Sequence, residues 1–420
     1  MRKPDYSRRV VVTGLGVISP VGNDKQTAWD NLIRGKSGLG EITRFDISRY
    51  EAKVAGEVKG FVPTEWLDAK AIRRTEVSLQ YGVAAAKQAV ADSGFEIDDE
   101  NRTEVGVVFG SGAGGQQLMI DSWRTLQEKG PRAVPPTFIA NGLVDSTSGM
   151  IAIETGAIGH NICIVSACAT GTHNVAEGAE AIRRGDCIAV ISGSAEMPLL
   201  EVAHAGFGNM RGLGMPRPGE GLETVSRPFD KTRDGFVLGE GAGSLFLEDL
   251  ELAKARGAHI YAEVVGYGSA ADGWDMIQPV AGGAGSARAM KMALDRRGVP
   301  ADEVDVINPH GTSTPLGDQR EAEAIWTVFG DHTPQVAISG TKSMTGHMMG
   351  AAGAFEAFAT VMTVAEQCVP PTINYREPDP ECDLWVVSEA TPMKVRYALS
   401  NNIGLGGHNG AVIFRRYEGD

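Results

Sequence analysis

Residues 162–192 read ICIVSACATGTHNVAEGAEAIRRGDCIAVIS, and they decide the fold. An apolar, β-branched run at 162–165 predicts a strand, apolar residues at helical spacing over 175–185 predict a helix, and 188–192 predicts a second strand. Small residues around Cys168 separate the first strand from the helix. Strand, helix and strand with continuous apolar runs imply an α/β protein whose strands are mostly buried.

The alternation extends both ways. Upstream, a strand begins at 9–12, helices follow at 25–35 and 77–94, and a strand at 105–109. A second series starts near Ile260. It comprises strands at 262–268, 304–308, 336–339, 398–401 and 411–415, with helices at 285–297, 319–328 and 350–366. The two series share their order, strand, helix, strand carrying a chemically distinctive residue, helix, strand. A duplicated fold is therefore expected, with halves 1–257 and 258–420. The Gly-, Pro- and Arg-rich segment 206–234 is long for a connection and is expected to be functional.

Composition sets limits. The 420 residues exceed one minimal core, and 42% hydrophobic with 22% charged residues fits a soluble globular chain. Glycine stands out, 54 residues against a usual ~7%, and it clusters beside apolar runs, as tight turns and close helix packing require. A net charge of -14 argues against nucleic acid as a main ligand. No stretch approaches the ~18 apolar residues of a membrane span, and no signal-peptide pattern precedes the first strand. Five cysteines without paired spacing fit a reducing cytoplasm, and none suggests zinc.

Three motifs carry the chemistry: VSACATGTHN around Cys168, NPHGTSTPLGD around His310 and TKSMTGHMMG around His347. Each follows an apolar run and sits among small residues. A lone cysteine is most often a small buried hydrophobe. Cys168, however, lies where a strand hands over to a helix, and a helix N-terminus favours the thiolate. Cys163, Cys187, Cys368 and Cys382 lack that setting. Lys342, five residues before His347, lies between an apolar run and a small-residue helix start, with Glu356 in the next helix as a partner. A nucleophile with two imidazoles implies covalent acyl transfer. The sequence Gly110-Ser-Gly112-Ala-Gly-Gly115 matches a dinucleotide fingerprint, but Gly130-Pro131 and Pro135-Pro136 interrupt the helix such a site needs, so a Rossmann site is rejected.

With these residues in place the chain resembles the type II β-ketoacyl-acyl-carrier-protein synthases, condensing enzymes with the thiolase-like fold. The resemblance runs nearly end to end, through VVVTGLGVISPVGN, SACATGTHN, SRPFDKTRDGFVLGEGAG, NPHGTSTPLGD, GTKSMTGHMMGAAGA and SNNIGLGGHNG. It implies a thiolase-like duplicated fold with two mixed five-stranded sheets in α-β-α-β-α layers. It implies decarboxylative Claisen condensation of an acyl group with malonyl-acyl carrier protein in fatty-acid elongation. Cys168 would carry the acyl chain, His310 and His347 would hold the malonyl thioester carbonyl, and Lys342 with Glu356 or Glu321 would order the histidines, Asp318 supporting. The backbone N–H groups of Cys168 and Leu405 would form an oxyanion hole. Thr312, Thr314 and Ile277 match pantetheine positions and Ala113 an acyl-pocket position. Phe138 would approach the partner's acyl pocket in a homodimer. Lys70, Arg73 and Arg74, one face if helical, match a carrier-docking helix that Arg132 and Arg211 extend. No resident cofactor or metal is implied; phosphopantetheine arrives on the carrier protein. Leu405 replaces the family's usual gating phenylalanine, and Ile277 and Ala113 depart from common family residues, so the resemblance leaves acyl preference open. The alternatives are a ketosynthase of a polyketide or other specialised lipid pathway, a chain-length-factor-like partner that binds without chemistry, and a thiolase. The intact Cys168, His310 and His347 oppose the second, and the absence of a second cysteine near Leu405 opposes the third.

Overall fold

The structure is a computed structural model and describes residues 3–419. Ten strands make its central sheet: β1 (Val10–Ile18), β2 (Val105–Gly110), β3 (Asn161–Ile162), β4 (Ala189–Glu196), β5 (Gly241–Asp249), β6 (Ala262–Ala271), β7 (Val304–Asn308), β8 (Ala337–Ile338), β9 (Tyr397–Gly404) and β10 (His408–Arg415). Their spatial order is β3-β2-β4-β5-β1-β6-β10-β9-β7-β8. Counted from either outer edge, the strands of each half run third, second, fourth, fifth, first in chain order. The directions repeat as well: β1–β5 and β5–β4 are antiparallel, then β4–β2 and β2–β3 parallel. In the second half β6–β10 and β10–β9 are antiparallel, then β9–β7 and β7–β8 parallel.

Two separate sheets were expected, and this is corrected. Val10, Val11 and Val12 of β1 pair antiparallel with Val264, Glu263 and Ala262 of β6, so all ten strands are joined. These β1 residues are wholly buried. Their N–H and C=O groups have no water to turn to, and pairing across the junction satisfies them.

Six helices position the site: α1 (Val77–Ser93), α2 (Gln116–Lys129), α3 (Thr170–Arg184), α4 (Ala284–Asp295), α5 (Pro315–Phe329) and α6 (Ala352–Glu366). α3 and α6 pack on each other and on strands of both halves, whereas α1 covers β1, β5 and β4, and α4 covers β6 and β10. The central place of α6 explains its composition: every residue from Ala352 to Val364 is buried. It also explains glycine at the crossing. A Cβ on Gly171 would lie 2.3 Å from the Ala354 nitrogen, and one on Gly353 would lie 2.4 Å from Thr172 Oγ1. The two backbones touch, and only glycine permits it.

Three local expectations change. β3 holds two residues instead of four, because the Asn174 amide takes over the ladder: it accepts from the Ile164 N–H (3.2 Å) and donates to the Ile164 carbonyl (2.9 Å). The Ser166 N–H then donates to Thr170 Oγ1 (2.9 Å), and α3 starts at Thr170, five residues earlier than its apolar spacing implied. The segment 206–234 is partly helical (Glu201–Asn209) and ends in a buried strap. In that strap the Arg227 N–H donates to Ser313 Oγ (3.0 Å), the Phe229 N–H to Asp318 Oδ2 (2.9 Å) and Arg233 to Asp379 Oδ2 (2.6 Å). It therefore clamps the loop that follows His310. Among the described residues no helix is long and apolar enough to cross a membrane.

Candidate active site

Cys168 lies on a single 3-10 turn, Ala167–Ala169, that feeds α3. Ala167 has φ +51°, a left-handed conformation that costs a residue with a Cβ about 1–3 kcal/mol. The turn is sharp enough to bring the chain from Ser166 into the helix with Cys168 at the corner. The hairpin between β9 and β10 meets this corner. A Cβ on Gly404 would lie 2.5 Å from the Ser166 carbonyl and 3.2 Å from the Cys168 nitrogen. Leu405 follows directly, and its N–H, with that of Cys168 itself, favours the thiolate.

Burial nevertheless wins. The thiol is pushed up to about 11, desolvation being the largest cause, with the Leu405 N–H and the Lys342 charge opposing it. The helix N-terminus favours the thiolate, as the sequence implied, but burial opposes it more strongly. A helix N-terminus contributes roughly 0.3–1 kcal/mol, less than one pK unit, whereas full burial moves a group by up to ~3–5 units. Burial thus favours the thiol form of Cys168.

His310 lies two residues after β7, in the loop that leads to α5. Its N–H donates to Glu321 Oε1 (2.6 Å) and the Gly311 N–H to Glu321 Oε2 (2.7 Å), while Asn401 donates to Oε1 (2.7 Å). A buried carboxylate on α5 thus pins the backbone that carries the imidazole. Asp318, one turn earlier on α5, accepts from the Ser313 N–H (3.1 Å) and lies 3.5 Å from Arg233. His347 is held through its main chain, its N–H donating to the Val237 carbonyl (2.6 Å) and its carbonyl accepting from the Gly239 N–H (2.8 Å). The two rings stand perpendicular with centroids 5.1 Å apart, and Phe236 meets His347 edge-on at 5.7 Å.

Both imidazoles are held well below the ordinary histidine range, first by burial, then by the Lys342 charge; His347 adds to the effect on His310. Each Nδ1 is buried without a hydrogen-bond partner, so no acceptor supports a second proton. The site therefore holds two neutral rings, each with one N–H to give. Lys342 pairs with Glu356 in a wholly buried contact, and Asn402 donates to Glu356 Oε2 (2.6 Å). Glu356 thus balances the Lys342 charge, that charge adds to burial in lowering both rings, and Glu321 holds the His310 backbone.

A cavity of about 370 Å³ brings together Cys168, His310, His347, Thr312, Thr314 and Leu405, with the exposed Ile277 and Arg211 also on its wall. A second cavity of about 330 Å³ carries Ala113, Ala167 and Glu196, and shares Phe207, Met210 and Met349 with the first. Phe138 lines neither; it is half-buried at the start of the short helix Phe138–Gly142. Lys70, Arg73, Arg74 and Arg132 are exposed and away from both cavities. The helix beneath the triplet spans only Ala69–Ile72, so Arg73 is its C-cap and Arg74 lies beyond it. Among the described residues no cluster of three His, Cys, Asp or Glu is placed to hold a metal.

Glu196, at the end of β4, belongs to none of the motifs that mark the site in the sequence. Its carboxylate accepts from the Gly112 N–H (2.5 Å) and from Ser111 Oγ (3.0 Å), and burial pushes it up to about 7. This also corrects the dinucleotide argument, because α2 does open directly after Gly115. The glycine loop fails as a phosphate cradle for another reason: the Gly112 N–H is already given to the protein's own carboxylate. Phe207, Phe236 and Met349 were also missed. As isolated hydrophobes they carry no signature in the sequence.

Comparison with known proteins matches nearly the whole chain. The model "Beta-ketoacyl synthase, N-terminal domain" matches residues 7–253, and "Beta-ketoacyl synthase, C-terminal domain" matches 261–376. The chain is 45% identical over 410 residues to a 3-oxoacyl-[acyl-carrier-protein] synthase 2 of Coxiella burnetii, covering 97% of this chain and 99% of that one. It is 43% identical over 413 residues to the synthase of the same name from Staphylococcus aureus strain N315, covering 98% and 99%. A solved type II polyketide ketosynthase, in complex with its acyl-carrier protein and bound to the hexaketide, superposes with a TM-score of 0.90 at 31% identity, covering 99% of this chain and 100% of that chain.

Proposed function

Because the chain belongs to the β-ketoacyl synthase family, we propose that it elongates fatty acids by condensing an acyl group with malonyl-acyl carrier protein, giving 3-oxoacyl-acyl carrier protein, CO2 and free carrier protein. The single observation that carries this reading is one cavity lined by a buried thiol and two neutral imidazoles. In the first half-reaction the Cys168 sulphur bonds to the acyl carbon, the carrier's C–S bond breaks, and the thiol proton ends on the released pantetheine sulphur. In the second, malonyl thioester loses CO2 and leaves an enolate whose oxygen receives the N–H groups of His310 and His347. Neutral rings suit this, since each has a proton to share and no charge to attract a competing anion. The enolate carbon attacks the acyl carbon. The tetrahedral oxyanion sits on the Cys168 and Leu405 N–H groups until the Cys168 sulphur departs and regains a proton. Thr312 and Thr314 hold the pantetheine amides. All the chemistry lies in side chains and backbone, so no resident cofactor is needed; phosphopantetheine comes with the carrier.

We divide the chain at 1–257 and 258–420, following the repeated strand order, into two five-stranded halves separated by the α3–α6 layer. A specialised or polyketide pathway is the second reading, favoured by the likeness to the solved polyketide ketosynthase and by the space left at Ala113. A ladder of acyl-carrier thioesters with malonyl-carrier protein separates the two. Saturated chains should give 3-oxoacyl products with one CO2 each, and CO2 release without a longer product would sink the condensation reading.

The carrier docks on the exposed Lys70, Arg73 and Arg74, with Arg132 and Arg211 completing the path to the cavity. An acidic partner needs such a local patch on a chain of net charge -14. In the same assay, reversing the triplet to Glu should weaken turnover with carrier-bound substrates and flatten its salt dependence while sparing acyl-pantetheine. Equal loss on both substrates would show that the triplet serves the fold instead.

The protein acts as a homodimer in the cytoplasm. β3 is an open sheet edge, and Met119, Trp123, Ile139 and Leu143 are exposed apolar residues on the adjoining helices, where the Gly115 N–H joins the Gly142 carbonyl (3.3 Å). A partner paired along β3 covers that surface and brings its own Phe138 towards the cavity at Ala113. Light scattering at micromolar concentration should give twice 44.4 kDa; the single-chain mass would refute the dimer.

A further inference from the structure

A third imidazole, which the condensation does not use, stands beside the nucleophile's turn. His173 lies in the first turn of α3, and its Nδ1 is 2.6 Å from Ser166 Oγ. Burial lowers its pKa from the ordinary histidine value, and the Asn409 main chain acts the other way. A neutral ring has one N–H and one acceptor nitrogen, so Nδ1 meets the Ser166 hydroxyl in either tautomer. The far edge of the ring rests on β10, where a Cβ on Gly410 would lie 3.0 Å from Nε2 and 3.2 Å from Cδ2. His173 therefore touches the turn that carries Cys168 on one side and the β9–β10 hairpin on the other.

These two segments each supply half of the oxyanion hole. The Cys168 N–H comes from the turn and the Leu405 N–H from the hairpin. The segments are distant in sequence, so only contacts between them can set how far apart the two donors stand. One contact is the approach of Gly404 to the Ser166 carbonyl, where a Cβ would lie 2.5 Å away. Another is Thr172 Oγ1, which donates to Asn402 Oδ1 on β9 (3.0 Å). Ser166 is where the turn is held. Its N–H donates to Thr170 Oγ1 (2.9 Å) and its carbonyl accepts from the Ala169 N–H (3.1 Å), both within the turn itself. Its hydroxyl is the group that reaches His173, and through that ring β10. Ala167, the next residue, has φ +51°, and such a conformation persists only where its surroundings over-determine it. A ring seated on β10 and bonded to Ser166 adds that constraint.

We propose that His173 is a positioning residue: bonded to Ser166 and seated on β10, it sets the separation of the Cys168 and Leu405 N–H groups. The inference rests on the condensation reading and deepens it. It concerns acyl transfer, which needs that hole, and not decarboxylation, which uses His310 and His347. Full-length Ser166→Ala, His173→Leu and the double variant are compared with wild type in two assays. One follows the rate of adduct formation on Cys168 from acyl-carrier protein, the other CO2 release from malonyl-carrier protein. Each single variant should form the adduct about 10–10²-fold more slowly, through kcat with KM little changed, and should release CO2 at the wild-type rate. The double variant should be no slower than the slower single one, as expected of two partners in one contact. His173→Asn, whose amide can stand near the place of Nδ1, should recover adduct formation to within about threefold of wild type. Circular dichroism and Tm check the fold of each, and Ser166→Ala carries the test if His173→Leu does not fold. Adduct formation at the wild-type rate in Ser166→Ala would overturn the proposal. Additive losses in the double variant, or equal losses of adduct formation and CO2 release, would overturn it too. A wild-type protein that forms no adduct would sink the condensation reading itself, and this inference with it.

Discussion

Cys168→Ala is expected to abolish acyl-enzyme formation, whereas Cys163→Ala is expected to leave it intact. Intact-mass measurement after incubation with acyl-carrier protein reads the adduct directly, and an adduct persisting on the Cys168→Ala protein would remove Cys168 from its role. Cys163 is half-buried and its thiol lies against the Val144 carbonyl (3.5 Å), outside both cavities. The pushed-up thiol adds a second readout. With Cys168 at about 11, the thiolate is a small fraction near neutrality, so alkylation by iodoacetamide should rise about tenfold per pH unit there. A rate already level near pH 7 would mean that the N–H groups of Leu405 and Cys168 outweigh burial after all. Cys168→Ala should still release CO2 from malonyl-carrier protein, because the imidazole pair is untouched.

The complementary result is expected at His347. His347→Ala should slow malonyl decarboxylation by about 10²–10³, the usual cost of losing one donor to a developing oxyanion, while leaving acyl transfer to Cys168 measurable. Carbon dioxide release from malonyl-carrier protein isolates the first quantity and the mass adduct isolates the second. The pH profile separates this role from a purely structural one. Both rings lie well below the ordinary histidine range, so their neutral forms persist to lower pH than a normal imidazole allows. Wild-type decarboxylation should therefore stay level through about pH 6.5, where an unperturbed histidine gains its charge. A rate that falls there would show that at least one ring titrates normally, and unchanged decarboxylation in His347→Ala would remove the residue from the mechanism.

Much of this was legible in the sequence, for identifiable reasons. The apolar runs of β2, β4, β6 and β7 are long, β-branched and bounded by breakers, and they fall where expected. The glycine and small-residue clusters mark Cys168, His310 and His347 because close backbone approach leaves that trace. What stayed hidden depends on partners distant in the chain. β3 is cut short by an amide on α3, the strap at 226–234 is ordered by hydrogen bonds to α5 and its preceding loop, and Glu196 is defined by a loop some eighty residues earlier. Neutrality of the histidines was invisible too, since it follows from burial and from the placement of Lys342. The joining of two sheets into one rests on three residues of β1, whose apolar character fits either arrangement.

That same strand constrains how the chain is made. β1 leaves the ribosome long before its partners, since its antiparallel partner β5 ends at Asp249 and its other neighbour β6 follows only after that. At synthesis rates of roughly 5–20 residues per second, β1 waits on the order of tens of seconds for either. Through that interval α1 can cover one face of β1, but the edges of its ladder have no native strand to pair with. The ladder of a central strand is thus completed only when the chain has passed from one half into the other.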